Sequence, residues 1–195
     1  MTDVPLDPVA IDVGGLLQSH VASLYSHLVT RQTGRAVRLA IESQLGEAGS
    51  ASLSLVDLSE VSVLDFSCAD EVVAKLLLRY LDPGRPRDAF FVFRGVTEAH
   101  RDPVEVVLMR QHLAVVAETA PAHYELLGDR TEAEERAWRQ LEAYGLLVPA
   151  DIPDVLPDPD DRAAFAGLIE RRLAFRSPIS GRIHALSRIV AHLLP

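Results

Sequence analysis

One cysteine, Cys68, is the whole thiol content of the chain. A lone thiol closes no internal disulfide and builds no multi-cysteine metal site, so a reducing, bacterial cytoplasm is the expected setting. The histidines are His20, His27, His100, His112, His123, His184 and His192, scattered without a ligand spacing such as His-Glu-x-x-His, so no metal is expected. A phosphate-cradling loop is missing too, because Gly14-Gly15 has no Lys-Ser/Thr after it. Ser67, Asp65 and a distant histidine would supply a triad, but no nucleophile-elbow glycines frame Ser67. No apolar run is long enough to span a bilayer, and the leader MTDVPLDPVAIDVGG is acidic rather than basic-then-apolar. These absences lead to the expectation of a soluble cytoplasmic protein with no cofactor, no membrane partner and no enzymatic function.

What is present is enough to fold. The 195 residues suit one large domain or two small ones, and 48% hydrophobic residues can bury a real core. A net charge of −9 argues against indiscriminate nucleic-acid binding by the whole surface, yet leaves room for a local basic patch.

The chain is organised around Ser52 to Leu81, SLSLVDLSEVSVLDFSCADEVVAKLLLRYL. The run from Leu53 to Leu58 is short and largely apolar, which suits a strand covered on both faces. Val61, Val63 and Leu64 carry a second apolar patch into Asp65. The period then changes: Val72, Val73, Leu76, Leu77 and Tyr80 recur at helical spacing. Ser67 is the expected N-cap, with Asp70 and Glu71 in the first turn, where the helix dipole favours carboxylates. Asp82-Pro83-Gly84 ends the helix.

VDLSEVSVLDFSCADEVVAKLL resembles the core motif of STAS-type domains of bacterial anti-sigma factor antagonists, in which a buried strand, a "Dlsgv" turn and an Asp-Ser-Ser-Gly helix start follow in order. Ser-Cys-Ala-Asp-Glu is closer to a STAS-like variant with Phe-Ala-Asp-Glu, found alongside histidine-kinase-type ATPases. In the antagonists a phosphorylated serine directly follows the Asp; here Phe66 holds that place and Ser67 comes one later. The resemblance implies a mixed sheet with helices and a regulatory setting. It also implies a partner face of Asp65, Phe66, Ser67, Cys68, Asp70 and Glu71, docking a histidine-kinase-type ATPase or another regulatory protein. An exposed Phe66 would be an apolar anchor there, whereas a buried one would merely pack. Cys68, near a helix start, would have a lowered pKa if exposed, and would be an inert small residue if buried.

The rest of the front half alternates strand and helix, as an α/β layer requires. Val9 to Val13 reads as a short strand. Residues 16–29 read either as a helix, on Val21, Leu24 and Leu28, or as a strand over Ala22 to Tyr25. Gly34 to Leu45 reads as a helix closed by Gly46. Arg31, Gly34 and Arg35 at its start form a possible anion site, the alternative being a capped helix with two solvated arginines. Ala89 to Phe93 is strongly β-forming, Pro103 is placed to open a helix through His112, and Leu113 to Ala117 and His123 to Leu127 follow as strands.

A boundary falls near Gly128. Thr131 and Glu134 have capping-box spacing, Gly145 ends that helix, and Asp158 caps a later one. Leu173 to Arg176 and Arg182 to Leu186 then read as strand, turn and strand. Three helices and a hairpin are similar to a winged helix-turn-helix, with LIERRLAFRSPISGRIHALS as recognition-helix end and wing. The expectation is thus a STAS-like α/β domain over residues 1–128 and a winged-helix-like domain over 129–195. Winged-helix regulators often dimerise, so a homodimer is possible.

After Asp161 the chain holds six arginines and Glu170 as its only acid. Arg171, Arg172, Arg176, Arg182 and Arg188 are the expected DNA contacts, collected on one exposed surface. Against this, Asp158, Asp160 and Asp161 open the helix that would enter the groove. The two functional expectations are a DNA-binding transcription regulator and a protein–protein adaptor in an ATPase-type partner switch without DNA.

Overall fold

The computed structural model describes residues 3–20 and 27–194. In chain order, β1 (Asp7–Asp12) leads into α1 (Val13–His20), and β2 (His27–Leu28) into α2 (Arg31–Glu47). β3 (Ala51–Asp57) and β4 (Val63–Leu64) precede α3 (Phe66–Ala69), a π-helical turn (Asp70–Lys75) and α4 (Leu76–Leu81), which run on as one rod. β5 (Asp88–Arg94), α5 (Glu98–Arg110), β6 (Ala114–Ala120) and β7 (His123–Gly128) complete the front half. Then come α6 (Glu132–Tyr144), β8 (Leu146–Leu147), a 3-10 turn (Pro149–Asp151), α7 (Ile152–Val155) and α8 (Pro159–Glu170). β9 (Ala174–Arg176), β10 (Ile183–Ala185) and α9 (Leu186–Leu193) follow.

The main sheet is mixed, in the order β1-β3-β5-β6-β7. The first four strands are parallel and β7 is antiparallel to β6. Successive side chains on a strand face opposite ways, and here both sets are apolar. Phe91 and Phe93 of β5 and Val115 and Ala117 of β6 join α1, α2, α5 and the α3–α4 rod in one core. Val92, Ala114 and Val116, together with Leu53 and Leu55 of β3, join Trp138, Leu141, Phe165, Leu168, Ile183 and Ile189 in the other. This accounts for β3 as a run buried on both faces, as its composition indicated.

Residues 129–194 therefore cover one face of the sheet and share its core. Burying a Val, Leu, Ile or Phe side chain is worth about 1.5–3 kcal/mol, whereas an exposed ion pair contributes about 0–1 kcal/mol. The apolar seam, rather than the ion pairs at its edge, holds the two halves together. β8, β10 and β9 form a small antiparallel sheet beside it.

Three local expectations change. Gly46 does not close α2, which starts at Arg31, runs through Gly46 to Glu47 and is capped by Ala48. The cap of α3 is Asp65, not Ser67: its side chain accepts from the Cys68 N–H at 2.8 Å. α5 starts before Pro103, at Glu98, where His100 Nδ1 accepts from the Thr97 N–H at 3.4 Å. The Thr131–Glu134 capping box and the left-handed Gly145 at the end of α6 both form. Residues 21–26, on which the choice between helix and strand turned, lie outside the described residues.

Candidate functional site

The site grows from the close approach of α2 to the start of α3. Thr30 caps α2, its hydroxyl oxygen accepting from the Thr33 N–H at 3.2 Å. The Thr30 carbonyl accepts from the Cys68 thiol at 2.9 Å. Such an approach needs Gly34, which lies against Cys68 and Glu71. The anion-site residues Arg31 and Gly34 and the partner-face residues Asp65 to Glu71 are thus one place in the fold.

Glu71 is its electrostatic hub. It is 2% exposed, and a carboxylate so enclosed needs cations. Arg31 and Arg38 each reach it at 3.2 Å, and Lys75 pairs with it one turn along the rod. Burial opposes ionisation, but the hydrogen bonds from Lys75 and Arg38 outweigh it and hold Glu71 below the usual glutamate range. Arg31 also meets Asp70 at 2.6 Å, and Arg38 meets Glu42 at 2.5 Å. Arg31, one residue of the possible anion site, is engaged by the chain's own carboxylates, while Arg35 remains exposed.

Asp65 does two jobs. Besides capping α3, it accepts from the Ser67 hydroxyl at 2.9 Å. Burial works against its charge, yet the Cys68 N–H and Ser67 hydroxyl hold its carboxyl below the ordinary range. Cys68 is fully buried, and burial followed by the neighbouring Asp65 charge pushes its thiol up to about 12. That makes it a poor nucleophile.

Beside this ionic interior three apolar side chains are exposed. Phe66 is 46% exposed, Val63 42% and Val29 40%. The three are neighbours in the fold: β2 pairs with β4 through His27–Val63 and Leu28–Leu64, and the Asp65 N–H donates to the Leu28 carbonyl. Val29 and Phe66 directly follow those paired ends.

The arginines of the last segment do not form the single cationic surface expected of them. Arg171 donates to Glu134 at 2.6 Å and to the Asp129 carbonyl. Arg172 donates to Asp88 at 2.5 Å and stacks over the Phe90 ring, 5.1 Å from its centroid. Arg171 is thus spent between the end of α8 and the start of α6, and Arg172 at the seam with β5. Arg182 lies 3.9 Å from Asp3, and Arg176, Arg182 and Arg188 are exposed.

Glu71 as a hub, with Arg38, Glu42 and Lys75, was not singled out from the sequence. The signals that could have found it are the i,i+4 pairs Arg38–Glu42 and Glu71–Lys75. Comparison with family models, curated proteins and solved structures returns no match for this chain.

Proposed function

We propose that this chain is a non-enzymatic regulatory adaptor that docks a partner protein through the surface around Phe66. The observation that carries the reading is the large exposed aromatic ring set at a helix start whose backbone is fixed by Asp65 and whose base is locked by Glu71. Aromatic anchors on rigid supports dominate protein interfaces, because little entropy is lost on docking. The strand, turn and Asp-led helix of residues 52–81 support a STAS-like identity for the front half. The partner that this resemblance implies is a histidine-kinase-type ATPase. The order of α6, α7 and α8 followed by the β9–β10 hairpin supports a winged-helix-like identity for the rest.

The reading is tested by calorimetric titration of a histidine-kinase-type ATPase into the wild-type chain and Phe66→Ala. Binding that falls at least about tenfold in the variant is expected, since a central aromatic is worth about 2 kcal/mol or more. Equal affinity for both proteins would refute the anchor.

A second reading, DNA binding, has one observation in its favour: Arg176, Arg182 and Arg188 stay exposed on or beside the β9–β10 hairpin. Three phosphate contacts would give weak binding with a modest salt slope. A gel shift at low salt that Arg182→Ala weakens would support it, and no shift with any DNA would remove it.

A further inference from the structure

Two basic side chains of α9 are left without a partner. Arg188 and His192 are four residues apart, hence on one face of the helix. Among the described residues neither makes a hydrogen bond or an ion pair. Both border a cleft of about 500 Å³ between α9, β10 and the leader segment, within the range of about 300–1,000 Å³ that small ligands occupy. The cleft is apolar along Val4, Ile189 and Leu193.

The cleft already holds a carboxylate, and it comes from the chain itself. Asp3 accepts from the buried Ser177 hydroxyl at 2.8 Å, lies 3.2 Å from His184 Nε2 and faces Arg182 at 3.9 Å. Ser177, His184 and Arg182 thus accommodate one acid in the cleft, while Arg188 and His192, which line it too, are not used by it.

We propose that this cleft binds an amphipathic carboxylate, a singly charged acid with an apolar body of medium length. Its head is held by Arg188 and His192, and its body lies along Val4, Ile189 and Leu193. A guanidinium fork matches a carboxylate in two parallel hydrogen bonds. The Asp3 charge facing the cleft disfavours a doubly charged phosphate head by Coulomb repulsion.

Calorimetric titration of the full chain with octanoate tests this, with acetate, octanol and octyl phosphate as comparisons. Octanoate is expected to bind, and acetate, octanol and octyl phosphate to bind more weakly. Arg188→Gln, an exposed substitution, should weaken octanoate roughly tenfold, and Asp3→Asn should tighten it by removing the opposing charge. Octanoate should also shift the ring resonances of His192 in the wild-type chain. Octanol or octyl phosphate binding as tightly as octanoate, unchanged affinity in Arg188→Gln, or no heat and no His192 shift would each overturn the proposal.

Discussion

Gly34 passes Cys68 so closely that a β-carbon on it would stand 2.9 Å from the Cys68 Cα and 3.2 Å from the Glu71 Cβ. The first neighbour is backbone and cannot swing away. Alanine gains about 1 kcal/mol over glycine in a free helix interior, but overpacking costs about 1–3 kcal/mol. Gly34→Ala is therefore expected to lower the urea midpoint, and a raised midpoint would mean that α2 and α3 part freely.

Much of this was legible beforehand, for reasons visible in particular residues. The both-faces burial of β3 follows from a short, largely apolar run, and the ends of α6 from Thr131, Glu134 and Gly145. Other features depend on distant partners. Arg171 meets Glu134 and Arg172 meets Asp88, residues 37 and 84 positions away, so a count of tail arginines could not show that two were neutralised. The π-helical turn that carries Glu71 has no signature in a 3.6-residue pattern. Asp65 rather than Ser67 caps α3 because two acceptors stood close together and only the backbone path chose between them.

Glu71→Gln should destabilise the fold by about 2–4 kcal/mol, because it leaves Arg38 and its neighbours short of a buried counter-charge. The wild type should also carry an acid limb. Glu71 has its pKa depressed in the folded state, so its contribution is fully present above the unfolded glutamate range and is lost as pH falls through the folded value. Thermal midpoints measured downward from about pH 5 should drop less steeply in Glu71→Gln than in the wild type. Parallel slopes would remove Glu71 from the acid limb.

The Ser67 hydroxyl sits 2.9 Å from Asp65 Oδ1. A phosphate there would place a charge of about −1.5 to −2 beside a capping carboxylate. Ser67→Glu is accordingly expected to pull Asp65 from its cap, at a cost of about 0.5–2 kcal/mol, while Ser67→Ala stays closer to wild type. Amide exchange at Cys68 reads this directly. Unchanged protection in Ser67→Glu would show that the cap tolerates the charge.

Cys68 should resist thiol reagents in the native protein. Its sulfur is buried, donates to Thr30 and is pushed up to about 12. An aromatic disulfide reagent at mildly alkaline pH should report almost no free thiol until denaturant is added, then one per chain. Prompt reaction without denaturant would contradict the packing of α2 on α3.

Hydrogen exchange on this chain with and without a histidine-kinase-type ATPase tests the proposed docking at the Phe66 face most directly. Added protection across Val63 to Lys75 and at Val29 is the predicted result. Protection confined to the β9–β10 hairpin and α9, with residues 63–75 unchanged, would contradict it.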